Sequence, residues 1–272
     1  MALINVLQKL LFPPPSSIYV SVMSFISVGS MANAGFSEIK GKHLQYSKFL
    51  NWNNNNDSST QNKQIKITSK VGMFMMYAPA FLFGASSFLL FPHHGLRFLL
   101  LRSALTIHFL KRVLEVLFVH RFGGSGVALD TAFTISLSYF LTTVTMIYTQ
   151  HLSEGLPEPS IDLKYVGVGL FLLGIGGNFY HHYILSTLRN TGEKEYKIPK
   201  GGLFNLVICP HYFFEVLGFV GVSCIAQTLY SVCYMIGATL YLMGRSYATR
   251  KWYLSKFEDF PKDVKMMIPF IF

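Results

Sequence analysis

An all-α, polytopic membrane fold of about seven transmembrane helices is predicted by three observations. The 272 residues are 51% hydrophobic and 13% charged, where a soluble domain carries about 25% charged residues. The apolar residues fall into runs of roughly 20, the length that crosses a bilayer. The loops between them alternate in sign, as the positive-inside rule requires of a multi-pass chain. The net charge of +10 then belongs to cytoplasmic loops rather than to nucleic-acid binding, and the chain is expected to form one membrane domain.

Residues 1–12 are apolar, but Pro13, Pro14 and Pro15 stand where a cleavage region would be, so no cleavable signal peptide is expected. Residues 18–36 form a first apolar run rich in small side chains. The polar stretch 38–70 carries Lys40, Lys42, Lys48, Lys63, Lys66 and Lys70, which place it in the cytoplasm. It includes a low-complexity tract at 53–60, expected to be disordered, and a sequon at Asn56 that a cytoplasmic loop keeps from glycosylation. Residues 71–91 have no charge and include Pro79, which a membrane helix tolerates with a kink. His93-His94-Gly95 predicts a turn. Residues 96–119 form a third helix, ended by the glycine-rich 122–126, and 127–148 a fourth, with Asp130 as its acid.

Glu154, Glu158 and Asp162 make the next loop acidic, which suits the luminal side. A glycine-rich fifth span covers 165–185, followed by a basic loop at 189–200. The run 203–247 is too long for one crossing. A break near Gln227 lets it cross twice, giving an odd number of helices, a luminal N-terminus and a cytoplasmic tail. That basic tail, 250–272, is amphipathic, with an apolar end expected to be tucked away. Cys209, Cys224 and Cys233 lie in or beside apolar runs, so reduced, buried thiols are expected.

Several polar residues sit where lipid would reject them. On the third helix His108, Arg112 and Glu115 share one face, with Lys111 at its edge; the stripe is either an internal ion-pair network or part of a site. Gly174, Gly176 and Gly177 precede Asn178 without a preceding strand, so they predict close helix packing rather than a dinucleotide fingerprint. Asn178 needs a partner, either backbone or ligand. His181, His182, Cys209 and His211 lack a metal-binding spacing, and no metal is expected. Arg189, Lys194, Lys197 and Lys200 gather with Tyr196 in a basic loop, either as ordinary charged helix ends or as a phosphate cradle. His211 and Glu215 are four apart and stack on one helix face, where a buried glutamate needs a ligand or a cation.

Residues 174–272 resemble the membrane steroid 5α-reductase family. The matches are Asn178, Tyr183-Ile184-Leu185, Leu188-Arg189, Gly192-Glu193, Tyr196-Lys197-Ile198-Pro199, Gly201-Gly202-Leu203-Phe204, Glu215, Arg245, Tyr253-Leu254, Phe257-Glu258-Asp259 and the C-terminal Ile268-Pro269-Phe270-Ile271-Phe272. Lys111-Arg112, Leu114-Glu115 and the run from Leu117 to Phe122 resemble the related very-long-chain trans-2-enoyl-CoA reductases. The chain as a whole is similar to plant members of the steroid-reductase family.

The resemblance implies a helix bundle in the endoplasmic reticulum membrane, enclosing a cavity for NADPH and a lipid or steroid substrate. Residues 1–110 would form the substrate side and 111–272 the NADPH-binding region. It places the cofactor on Arg112, Asn178, Arg189, Tyr196, Lys197, His211, Glu215, Arg245 and Tyr253. Asparagine usually stands at His211 and arginine at Lys197. Steroid-reducing members carry a glutamate and a tyrosine at the positions of Tyr77 and Phe109, so Met76, Tyr77 and Phe109 are the substrate-side residues here. Tyr77 is the expected proton donor, with His108 in reserve. The reaction implied is reduction of a carbon–carbon double bond conjugated to a carbonyl, in a 3-oxo-Δ4-steroid or in an enoyl-CoA. A Pro-aromatic-Glu motif at 210–215 also recurs in membrane methyltransferases, and a non-catalytic lipid-binding protein is the remaining alternative.

Overall fold

A computed structural model describes residues 2–50, 65–92, 95–124, 126–188, 190, 193 and 195–272, with side chains from Val6 onward. The tract at 53–60 with its Asn56 sequon, Lys63, the His93-His94 pair, Arg189 and Lys194 lie outside them.

The described residues fold into eight α-helices: α1 (Ala2–Leu10), α2 (Ile18–Ile39), α3 (Ser69–Leu90), α4 (Leu96–Leu114), α5 (Leu129–Leu152), α6 (Lys164–Thr187), α7 (Pro210–Ala226) and α8 (Leu229–Lys256). Seven of them are long. Three, α2, α3 and α5, are long and apolar enough to cross a membrane. The others are shorter or more polar: α7 has 17 residues, and α4, α6 and α8 bury polar and charged side chains. The break expected near Gln227 is present. Its residue takes the left-handed conformation (φ 48°) between α7 and α8, and its side chain accepts from the Leu163 amide at 2.8 Å.

The helical class holds, and one short strand pair is added to it. Residues Lys66–Thr68 (β1) pair antiparallel with Gly126–Ala128 (β2), and Tyr46 bridges to Val127. Strands of three residues are too short to show a period-two pattern in sequence. The pairing joins the starts of α3 and α5 and draws residues 43–50 across the same end of the bundle.

Glycines set the closest helix contact. A Cβ on Gly174 would lie 2.6 Å from the Gly218 Cα, and one on Gly221 would lie 2.7 Å from the Gly167 oxygen, so α6 and α7 meet backbone to backbone. Gly177 admits the Phe214 ring, whereas Gly176 faces open space. At the end of the bundle holding the α7–α8 turn, Arg97 is buried and ties three segments. It bonds Glu158, Asp162 (2.6 Å) and the Ile225 carbonyl (2.6 Å). The acidic loop is therefore paired with a buried cation at that end.

The C-terminal segment is docked by its start rather than its end. Ile208 and Cys209 donate to the carbonyls of Lys265 and Met266, and Met267 is buried. Of the apolar end expected to be tucked away, Ile268, Pro269 and Phe272 are half-buried, while Phe270 and Ile271 are each 78% exposed. Backbone pairing at 265–267 holds the tail, leaving these two side chains outside.

Gly174→Leu should break the α6–α7 contact, because the new side chain meets backbone that has no rotamer to yield. A loss of at least about 1–3 kcal/mol is expected, seen as a lower unfolding temperature of the detergent-solubilised protein. Gly176→Leu at the open position should leave it unchanged.

Candidate active site

At the end of the bundle opposite the α7–α8 turn, a cavity of about 310 Å³ opens between α3, α4, α5, α6, α7, α8 and residues 46–49. Its charged lining consists of Lys48, Arg112, Arg121, Lys197 and Arg245 against the single carboxylate of Glu215. Among the described residues, the sequence-expected site residues that line it are Met76, Tyr77, Arg112, Tyr196, Lys197, His211, Glu215, Arg245 and Tyr253.

Three expected residues stand outside the lining. His108 packs its ring on Phe109 and on Phe219 of α7, at 5.0 and 5.4 Å between centroids. Phe109 is buried behind Tyr139, 5.5 Å away. Asn178 donates to the His211 carbonyl at 2.7 Å and to Glu215 at 3.4 Å, and accepts from Lys111. It bridges α4, α6 and α7 from behind the cavity wall.

The polar stripe on α4 is an ion-pair network with one face on the cavity. Glu115 takes Lys111 at 2.9 Å, Arg112 at 3.5 Å and the His182 Nδ1 at 3.0 Å. The helix changes register here: Glu115–Val119 form a π turn, closed by the His120 amide donating to the Glu115 carbonyl at 2.7 Å. A π turn inside a helix is frequent at functional sites. It keeps Glu115 pointed inward while turning the chain toward the cavity mouth. Arg112 also donates to the Tyr77 hydroxyl and lies over its ring, 4.6 Å from the centroid. Tyr77 in turn stacks on Tyr139, 5.6 Å away.

The two adjacent histidines have different tasks. His181 donates from Nδ1 to the Gly177 carbonyl (2.7 Å) and accepts the Leu203 amide at Nε2 (3.1 Å), so its ring fixes the turn at 201–205. His182 belongs to the charge cluster.

At the other side of the cavity Arg245 is buried between the rings of Phe49 (3.9 Å) and Tyr46 (4.3 Å) and pairs with Glu38 at 2.6 Å. Glu38 also holds His43 at 2.6 Å. Lys48 lies 4.9 Å from the Tyr253 ring centroid. Glu38, His43, Tyr46, Lys48 and Tyr139 were not legible as site residues. An acid or lysine at the end of a span, or a tyrosine within one, is ordinary; only their meeting across distant helices marks them.

Glu115, His120 and His182 offer ligand atoms within 4.8 Å of one another. Two cations, the half-buried Lys111 and the buried Arg112, already contact Glu115, and Arg112 approaches the His182 Nδ1 at 3.2 Å, which opposes a metal ion there. Burial brings the His120 imidazole down to about 4, with the Arg112 charge adding to it, so it is neutral near pH 7. Burial likewise pushes the Cys209 thiol up to about 11, which keeps it from acting as a thiolate nucleophile or ligand.

Residues 126–272, more than half of the chain, match the family profile described as 3-oxo-5-alpha-steroid 4-dehydrogenase. The chain belongs to that family. It is similar to a very-long-chain enoyl-CoA reductase of Dictyostelium discoideum, 32% identical over 61% of this chain and 55% of that one. It is 36% identical to 3-oxo-5-alpha-steroid 4-dehydrogenase 2 of Macaca fascicularis over 49% of this chain and 52% of that one. Against the steroid 5-alpha-reductase DET2 of Gossypium hirsutum the identity is 40%, over 39% and 42%. The matched stretches thus span about half the length of these relatives.

Glu115→Leu should leave the buried Arg112 and the half-buried Lys111 without their carboxylate. Breaking a buried pair from one side costs about 3–5 kcal/mol, measurable as a fall in unfolding temperature in detergent. Adding Lys111→Met should restore part of it.

Proposed function

We propose that this protein reduces a carbon–carbon double bond conjugated to a carbonyl in a lipid, using NADPH, as a multi-pass protein of the endoplasmic reticulum membrane. The observation that carries this reading is the cavity lining: five cations against one carboxylate, set among aromatic and apolar side chains. Such a lining favours a ligand with several phosphates beside a greasy group. Lys48, Lys197 and Arg245 are the residues for the phosphates on the α8 side, with Arg189 added by family resemblance. Tyr196, His211, Glu215 and Tyr253 frame the remainder. Asn178 acts from behind, holding the His211 carbonyl and Glu215 in place.

When bound, the cofactor supplies hydride to the β carbon of the enone. Negative charge then develops on the carbonyl oxygen, and the α carbon takes up a proton supplied by water. Tyr77 is the donor to that oxygen. Arg112, always cationic, donates to its hydroxyl oxygen and so polarises the O–H toward the substrate. Met76 and Tyr139 shape the wall beside it. His108, packed on Phe219, does not line the cavity, which leaves Tyr77 the stronger assignment.

A 3-oxo-Δ4-steroid is the first substrate class. A long-chain trans-2-enoyl-CoA is the second, favoured by the resemblance of Lys111-Arg112 and Glu115 to the enoyl-CoA reductases. The orientation follows from charge. Residues 40–48, 66–70, 121 and 197–200 bring lysines and arginines to the cavity end, while Glu154, Glu158 and Asp162 lie at the other. The cavity end is therefore cytoplasmic, with seven helices crossing.

Purified protein should oxidise NADPH on addition of a steroid 4-en-3-one or a long-chain enoyl-CoA, and the preferred one identifies the substrate class. Tyr77→Phe should lower kcat by about 10²–10³ without changing the KM for NADPH. Undiminished turnover would remove Tyr77 from the mechanism.

A further inference from the structure

Phe270 and Ile271 stand outside every helix, exposed side by side on the C-terminal turn. A lone exposed apolar residue is ordinary. This pair is held out by its backbone. Phe270 takes the left-handed conformation (φ 64°), which is unusual for a bulky side chain. The Ile271 amide donates to the Ile268 carbonyl at 3.2 Å, and the Met267 and Ile268 amides both donate to the Phe272 oxygen at 2.8 Å. Met267 is buried and seats the turn.

The level of this turn follows from its neighbours. Tyr180 and Tyr183 of α6 are exposed, and tyrosines gather where a bilayer meets water. Tyr180 lies against the turn at 201–205, since a Cβ on Gly202 would sit 3.1 Å from its ring. From that turn, residues 206–209 lead into Pro210, the first residue of α7. Residues 265–267 run beside them. Val207 bridges to Lys265 in parallel, and the Ile208 and Cys209 amides donate to the carbonyls of Lys265 and Met266 at 2.9 and 3.0 Å. In a parallel pairing the tail travels the way the chain travels into α7. Residues 268–271 therefore come level with the first turn of that helix. An exposed side chain at this level meets the edge of the bilayer.

Resting on the membrane orientation read above, we propose that the C-terminal turn is a spur seated in the cytoplasmic leaflet, with Phe270 and Ile271 among the upper acyl chains. The nearest charge in the sequence is the exposed Lys265, and Glu258, Asp259 and Asp263 all precede it. An aromatic and an aliphatic residue followed at short range by a lysine suit the boundary between acyl chains and lipid phosphates. A protein partner fits less well. Two side chains offer far less area than the roughly 1,200–2,000 Å² of a stable protein interface, whereas a leaflet that already surrounds the helices needs only to admit them. Because 265–267 are bonded to 206–209, the spur also ties the cytoplasmic end of α7, which carries His211 and Glu215, to a fixed depth.

Tryptophan fluorescence in nanodiscs of brominated phosphatidylcholine mixed with phosphatidylserine tests this. Phe270→Trp and Ile271→Trp are each read against the parent protein, whose own tryptophan emission is subtracted. Phe25→Trp, at an exposed position within α2, marks the bilayer interior. Both turn variants should add blue-shifted emission, and bromine near the headgroup end of the acyl chain should quench it more than bromine near the methyl end. Phe25→Trp should be quenched by the deeper bromine. The spur is overturned if Phe25→Trp is quenched while both turn variants emit as water-exposed tryptophan. It is equally overturned if their emission is blue-shifted but no brominated lipid quenches it, since another protein surface, such as a second copy of this chain, then covers the turn. If Phe25→Trp itself escapes quenching, the membrane reading fails, and the spur with it.

Discussion

The cluster of Lys111, Arg112, Glu115 and His182 is the interaction on which the site depends. Two cations on one turn of a buried helix repel each other and lose their hydration, and they remain only because a carboxylate lies between them. That carboxylate is aimed by the π turn that ends α4, and His182 of α6 fixes its second oxygen. The network extends through Lys111 to Asn178 and from there to His211 and Glu215 of α7. It extends through Arg112 to Tyr77 of α3. One carboxylate thus sets the mutual position of four helices.

Two further devices allow this cluster to meet a cavity. The glycine contacts bring α6 and α7 close enough for the Asn178 amide to reach a backbone carbonyl on its neighbour. The small β1–β2 sheet pulls residues 43–50 over the end of the bundle, where Glu38 locks them to Arg245. Cations on both sides of one hollow are costly to assemble in an apolar protein. Arg112 and Arg245 are each paired with a carboxylate and stacked on tyrosine or phenylalanine rings, so that their positive charge is retained at the surface of the cavity without isolated burial.

Much of the helical frame was legible because lipid-length apolar runs and sign-alternating loops are strong signals. The turn at Gln227 was legible for the same reason, since a run from 203 to 247 exceeds one bilayer crossing. The strands were not, because three residues carry no period. For the site, the need of Asn178, Glu115 and Glu215 for partners could be inferred from their setting, but not which partners they find. Asn178 turned out to bind protein groups on three sides, and His108 to face Phe219, because helix rotation is decided by packing that a single sequence does not display. Of the residues that escaped notice, Glu38 and Tyr46 precede the first of the motifs that resemble known families, and Tyr139 falls between motifs, in the stretch from 123 to 173 that carries none.

The proposed function requires the cationic chamber to grip a reduced nicotinamide dinucleotide. Thermal unfolding of the purified protein across an NADPH series tests it most directly, since a ligand that binds only the folded state stabilises by about 2.7 kcal/mol at one hundred times its dissociation constant. The unfolding temperature should climb with NADPH concentration and do so less steeply as salt is raised. An unfolding temperature that stays flat across the whole series would contradict it.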